Sequence, residues 1–270
     1  HLPPELLRKC CPTSHRNMLD LALGNDRKLT SFFLTVHNHK MIEWANRALH
    51  SVDLVLCGCL LPQINPNLIV RLTLIDPAKL PSLHHLARLT HLTIAFSLAS
   101  HIPQQRKLSS ICPPCVESVT LLRTPIAVDE LPPACSSLRL TKCKNINVTS
   151  LTCQLRSLRL NDCNIDDADL AHILAKCLNL KSLRLPNNKP WMLKAFQDDS
   201  TSLPRRLRSL DIASLSSHTA CKGIRTLLSS LEDLCLDANQ VPGEQLQHLT
   251  SLQRLRIHLD TASELPPLPK

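Results

Sequence analysis

The segment Leu155-Arg-Ser-Leu158-Arg-Leu160-Asn-Asp-Cys163-Asn-Ile165-Asp-Asp-Ala-Asp-Leu170-Ala-His-Ile173-Leu174-Ala-Lys-Cys177-Leu-Asn-Leu180 carries two apolar periods in one line. From Leu158 to Leu160 leucine alternates with arginine, the period-two signature of a short strand with one face buried. From Leu170 to Cys177 the apolar residues fall at i, i+3, i+4 and i+7, so this stretch is expected to be an amphipathic helix. Acidic residues fill its first turn, where the helix dipole favours negative charge. At Leu180 the strand pattern begins again.

The frame Leu-x-x-Leu-x-Leu recurs outward from this segment. Clear copies start at Leu180, Leu207, Leu231 and Leu252, and weaker ones at Leu49, Ile69, Leu89, Val116 and Cys135. That makes ten units with starts 19 to 27 residues apart, within the range expected of leucine-rich repeats. A single strand cannot bury its own apolar face, so such units are expected to stack as a parallel sheet over one continuous core. The expected fold class is therefore α/β, a leucine-rich-repeat solenoid (horseshoe) with a parallel concave sheet. Its longer arms have room for helix. The shorter, proline-containing arms (Pro62, Pro66, Pro77, Pro81, Pro132, Pro133) read as extended, because proline removes a helix donor.

The spacing Leu155-x-x-Leu-x-Leu-x-x-Cys163-x-Ile165 through Leu170, Ile173, Cys177 and Leu180 resembles the cysteine-containing leucine-rich repeat of F-box proteins, and more loosely the ribonuclease-inhibitor-like repeats. The opening Leu2-Pro3-Pro4-Glu5-Leu6-Leu7, followed by Met18 to Leu23, resembles the start of an F-box. That resemblance implies binding of a cullin-ligase adaptor through Leu2, Pro3, Leu6 and Leu7. Residues 1–48 are expected to be a helical cap, F-box-like, with one helix after Asn25 or Asp26 that turns Leu29, Phe32, Phe33 and Val36 inward. Residues 49–270 are expected to form the leucine-rich-repeat domain. A cap without adaptor binding is the alternative, since a solenoid must cover its first unit.

Composition narrows the function. Leucine accounts for 55 of 270 residues and 43% of the chain is hydrophobic, which rules out a disordered polymer. Only four glycines occur, too few and too scattered for a phosphate-cradling loop. No stretch of 18 residues is free of charge, so no membrane span is expected. The chain opens without Met or a charged-then-apolar leader and reads as a piece of a longer chain. No nucleophile, metal or paired-carboxylate motif appears, so the chain is expected to be no enzyme and to need no cofactor.

Thirteen cysteines invite a disulfide reading, but their placement argues otherwise. Cys57, Cys143 and Cys163 stand three positions after the second core residue of their units. Cys135 and Cys177 replace core aliphatics. Such placement reads as reduced packing thiols in a cytoplasmic or nuclear setting. Cys112-Pro-Pro-Cys115 lacks the helix start of a redox pair and the second ligand pair of a zinc site, so it reads as structural. Asn147-Val-Thr149 is a glycosylation sequon by pattern, silent in a reducing compartment. His37, His39, His84 and His85 have no partners at ligand spacing.

The residue between the two core positions of each strand should face a partner. In order these are Asp53, Thr73, Thr93, Thr120, Arg139, Arg159, Arg184, Asp211, Cys235 and Arg256. Arg156, Lys181 and Arg208 add positive charge at the margin, while Asp211, Glu232, Asp233 and Asp237 turn the following units negative. Stacked arginines repel, and their presence points to a protein partner with an acidic surface. The candidate partner-binding residues are thus Arg139, Arg156, Arg159, Lys181, Arg184, Asp211, Asp233 and Arg256. The net charge of +9 would also suit nucleic acid, but with no Tyr, two Trp and four Phe there are few platforms for base stacking.

Overall fold

The computed structural model describes residues 31–33, 51–57, 64–97, 106–144, 146–151, 154–163, 165–186, 204–213, 230–237 and 249–258. Among these, eleven strands form one sheet in strict sequence order. They are β1 (Ser31–Phe33), β2 (Val52–Cys57), β3 (Ile69–Ile75), β4 (His91–Ala95), β5 (Ser118–Leu122), β6 (Ser137–Thr141), β7 (Ser157–Asn161), β8 (Ser182–Arg184), β9 (Ser209–Asp211), β10 (Asp233–Asp237) and β11 (Arg254–His258). Every neighbouring pair is parallel. Sequence order with parallel pairing requires the chain to return on the same side after each strand, which is the winding of a solenoid.

The register carries the leucine frame across the sheet. Leu72, Leu92, Val119, Leu138, Leu158, Leu183, Leu210, Leu234 and Leu255 form one row. Leu158, Leu183 and Leu210, which the solenoid reading requires to share a row, do so. The first eight of these nine are buried, and with the second core positions they form a single apolar cluster. At β11 the inward residues Leu255 and Ile257 are only partly buried.

Two expectations about the strands fail. The first unit was framed on Leu49, which makes Asp53 a rung; the register instead pairs Leu54 with Leu72 and Val55 with Thr73. The frame therefore begins at Ser51, and Asp53 lies in the neighbouring row opposite Arg71. Val52, Leu54 and Leu56 are all apolar, and a slip of two residues leaves every side chain on its own face, so the hexamer cannot tell the two frames apart. The second failure is the helix expected after Asn25 or Asp26. Ser31–Phe33 is a strand, with Phe32 opposite Leu54. Leu29-x-x-Phe32-x-Leu34 is in fact the same repeat frame. It was obscured because Leu29, Phe32, Phe33 and Val36 also fit helical spacing. The other residues of 1–48, including Leu2, Pro3, Leu6 and Leu7, lie outside the described residues.

On the outer side, the arm after β7 forms the expected helix α1 (Asp167–Lys176). Asp166 caps it, and a reciprocal bond from the backbone N–H of Asp166 to Asp169 completes a capping box. Leu170, Ile173, Leu174 and Cys177 are fully buried. Shorter arms make single 3-10 turns at Pro66–Leu68, Leu108–Ser110 and Val148–Ser150. Pro66 thus begins a turn and is not extended as expected, because its fixed φ suits a first helical position. The Asn147 of the sequon caps the third turn, accepting from the backbone N–H of Thr149 and from its hydroxyl. Adjacent arms are stitched by parallel bridges Lys107 to Ala127 and Val128 to Ile146. Asp129 accepts both the N–H and the hydroxyl of Ser109. Burial disfavours its charge, but those bonds outweigh it and hold the carboxyl below its usual range.

Four strands, β3, β5, β6 and β7, leave the sheet through a sharp corner. Asp76, Arg123, Lys142 and Asp162, each two residues after the second core position, have positive φ of 45, 51, 55 and 52°. Left-handed backbone costs a non-glycine residue about 1–2 kcal/mol. The corner is held by stacking, since the N–H groups of Asp76, Arg123 and Lys142 donate to Ala95, Thr141 and Asn161 of the next unit.

The residue after each corner is where Cys143 and Cys163 sit, both buried. The Cys143 thiol donates back to Leu121 O of the preceding unit, and to Thr141 O. Cys57 is not equivalent to them, because in the corrected frame it lies opposite Ile75. Cys115 likewise reaches back to Leu86 O and Leu89 O. All the described cysteines with described side chains are free thiols. Burial pushes Cys143 and Cys135 up to about 11 and Cys112 up to about 12.

Leu158→Ala should lower unfolding stability by about 2–5 kcal/mol, because its site is closed by strands on both sides. Leu255→Ala, at a half-buried position, should lower it by less than half as much; urea titrations read both. The raised thiols carry a pH signature as well. From pH 9 to 11 an unfolded thiol gives up its proton while the folded one keeps it, so stability is whole below pH 9 and falls through that window. Urea midpoints at pH 8 and pH 10.5 should show the drop, and Cys143→Ala should reduce it.

Candidate functional site

One face of the sheet is covered by the apolar cluster and the arms. The other is lined by rows of aligned side chains. Its central row runs Val55, Thr73, Thr93, Thr120, Arg139, Arg159, Arg184, Asp211, Cys235, Arg256. Arg139, Arg159 and Arg184 occupy adjacent strands in direct register, about 4.8 Å from strand to strand. Arg139 is exposed; Arg159 and Arg184 are half-buried.

The three arginines stand outside the ion pairs. The ion pairs among the described residues are Asp53 with Arg71, Lys142 with Asp162, Arg208 with Glu232 and Arg256 with Asp233, at 3.9, 3.4, 3.0 and 3.5 Å. None includes Arg139, Arg159 or Arg184. Burial, and then the charges of Arg139 and Arg184, hold the Arg159 guanidinium below its ordinary value, opposed only by Asp211. Its Nε is buried without a hydrogen-bond partner, as is the Thr141 hydroxyl on the neighbouring strand. Leaving such a group unsatisfied costs about 1–3 kcal/mol. Elsewhere the cations are used structurally: Arg88, Arg106 and Lys176 donate to Asn67 O, Leu80 O and Thr149 O of preceding units.

The remaining candidates separate into distinct places. Arg156 and Lys181 are exposed at the strand entrances, where their backbone N–H groups continue the ladder to Ser136 O and Arg156 O. Arg208, in line with them, is neutralised by Glu232. Asp233 and Arg256 are bound to each other, so neither is an open charge. Asp211 stands beside Arg184 and Cys235. Although it belongs to the outward row, Cys235 is only 3% exposed. Burial, then the Asp211 carboxylate, pushes its thiol up to about 11.

A row that the repeat frame did not single out runs beside the arginines. Ser118, Ser137, Ser157, Ser182 and Ser209 are aligned across five strands, all half-buried. The signal is plain in the sequence as serine directly before the first core residue in Ser137-Leu138, Ser157-Leu158, Ser182-Leu183 and Ser209-Leu210. His84 and His85 are exposed. Among the described residues no three His, Cys, Asp or Glu side chains gather closely enough to hold a metal ion, and no helix is long and apolar enough to cross a membrane.

One strand per leucine unit, in unbroken parallel register over a single apolar row, decides the architecture. It is a leucine-rich-repeat solenoid. No family model and no curated protein sequence matches the chain. Among solved structures it is similar to an internalin (inlF) from Listeria monocytogenes str. 4b F2365, with 17% identity and a TM-score of 0.48 over 78% of this chain. The match spans 62% of the length of that internalin.

Relieving the repulsion should be measurable. Arg159→Gln is expected to raise stability by about 0.2–1 kcal/mol in low salt, the scale of like charges placed opposite one another in a sheet. The gain should shrink in high salt as screening sets in. Denaturant midpoints at the two ionic strengths test it.

Proposed function

We propose that this chain is a protein-interaction module that takes an acidic protein partner on the open, concave face of its sheet. The observation that carries this reading is the row Arg139, Arg159 and Arg184, three adjacent like charges outside any ion pair and opposed only by Asp211 at one end, an electrostatic cost that a bound anion would lower. Arg156 and Lys181 at the margin extend the same field, and arginine suits the partner because its planar fork meets a carboxylate with two bonds. The chemistry asked of the chain is capture, so it is read as no enzyme.

Two uses of such a module are distinguished. The likeness of Leu155 to Leu180 and of Leu2 to Leu7 to F-box proteins supports a substrate-recognition subunit of a cullin-type ubiquitin ligase. In that use Leu2, Pro3, Leu6 and Leu7 dock the adaptor. A free-standing scaffold or inhibitor, with the N-terminal residues only as a cap, is favoured by one observation: Ser31–Phe33 pairs with β2 as part of the sheet, where a helical adaptor box calls for helix. A reduced, cytoplasmic or nuclear setting goes with either use and is supported by the buried free thiols.

Arg159→Glu combined with Arg184→Glu should abolish partner capture while the circular-dichroism spectrum stays that of the parent; unchanged capture would sink the site. Adaptor that co-purifies with the chain, and is lost when Leu6 and Leu7 become Asp, selects the ligase subunit. Partner capture without adaptor selects the scaffold.

A further inference from the structure

The surroundings of the three arginines specify more than a negative surface. Two residues before them on the same face of the same strands stand Ser137, Ser157 and Ser182. Two residues after the first two stand Thr141 and Asn161, opposite one another. Three forked cations are therefore bordered by hydroxyls on one side and by a hydroxyl and an amide on the other. With strands about 4.8 Å apart and about 3.3 Å per residue, the whole patch measures about 10 by 13 Å. No carboxylate stands in these rows from β6 to β8.

A single carboxylate would answer only one of the three charges. It would also leave idle most of the guanidinium and hydroxyl donors gathered here. A phosphate monoester brings close to two negative charges and three strong acceptor oxygens on one atom, and arginine clusters are the usual protein answer to it. The patch is also too short for a nucleic-acid backbone. The central row has Thr120 before Arg139 and Asp211 after Arg184, and no aromatic residue occupies it from β2 to β11. Continuous tracking of a strand needs cations and stacking surfaces well beyond one phosphate.

We infer that the open face over β6, β7 and β8 binds a phosphorylated serine or threonine of a protein segment, with Arg159 beneath the phosphate and Arg139 and Arg184 on its flanks. This rests on the reading of that face as the partner-binding surface and names the group that it recognises. Ser137, Ser157 and Ser182 supply hydroxyl donors to the same oxygens, and their small size leaves the guanidinium groups open to a ligand.

The test is fluorescence anisotropy on the full chain with three labelled peptide libraries, degenerate except for a central phosphoserine, glutamate or serine. The phosphoserine library should bind at least about tenfold more tightly than the glutamate library, each tenfold being about 1.4 kcal/mol. Inorganic phosphate should compete. Arg159→Gln should weaken phosphoserine binding by about tenfold or more, Arg159→Lys should restore part of it, and Arg88→Gln, on an outer arm, should leave it unchanged. Equal affinity for phosphoserine and glutamate overturns the inference and leaves the acidic-partner reading standing. So does absence of library binding while partner capture still depends on Arg159 and Arg184. Phosphoserine binding indifferent to Arg159→Gln overturns it, as does equal displacement by a single-stranded oligonucleotide. Failure of the broader reading looks different: partner capture would then survive Arg159→Glu with Arg184→Glu.

Discussion

Everything in this molecule depends on leucine burial between one unit and the next. A strand of three to seven residues with two inward leucines has no interior of its own. The neighbour on each side supplies it, and Leu138, Leu158, Leu183, Leu210 and Leu234 become one continuous apolar row with at most 1% of any of them exposed. Hydrogen bonds follow the same nearest-neighbour logic. At the strand entrances the N–H groups of Glu117, Ser136, Arg156, Lys181, Arg208, Glu232 and Gln253 each donate to the carbonyl of the unit before, in an unbroken ladder. Stability is thus a sum of interfaces, and the open face is released from any structural duty other than avoiding clashes.

That release is what makes the arginine row informative. Several other described cations are tied to carbonyls of the outer arms or to carboxylates, as Arg106 is to Leu80 O and Arg208 to Glu232. Arg139, Arg159 and Arg184 stand beside one another with like charge and no ion pair, with Asp211 at one end of the row. On the strands that follow, the same face is self-satisfied: Asp233 holds Arg256, and Asp211 stands against the Cys235 thiol. The face is therefore divided into a cationic part and a neutralised part.

How far the sequence could be read follows from which interactions are periodic. The strands at Leu158, Leu183 and Leu210, the buried stripe of α1 and its acidic first turn were all legible, because each repeats at a fixed spacing. The first unit was misframed because a two-residue slip in Val52-Asp-Leu-Val-Leu56 changes neither pattern nor facing. Ser31–Phe33 was hidden because its apolar residues satisfy two periods at once, and only a strand partner decides between them. The arginine row was visible as a column of letters, and the serine column beside it was equally visible but overlooked. What could not be read was pairing across columns, such as Arg256 with Asp233. It depends on side-chain reach between diagonal neighbours, which the spacing along one chain does not encode.

The left-handed corners at Asp76, Arg123, Lys142 and Asp162 have an unequal consequence along the stack. At three of them the strain is restrained by a bond from the following turn of the coil, so a corner deprived of its successor loses what keeps it bent. The corners therefore depend on the stack being continuous beyond them, as it is beyond β3, β5 and β6. Arg139 stands on a strand whose corner, at Lys142, is held in this way by the turn that carries Arg159, so the arginine row and the bent exits of its strands are fixed by the same neighbours.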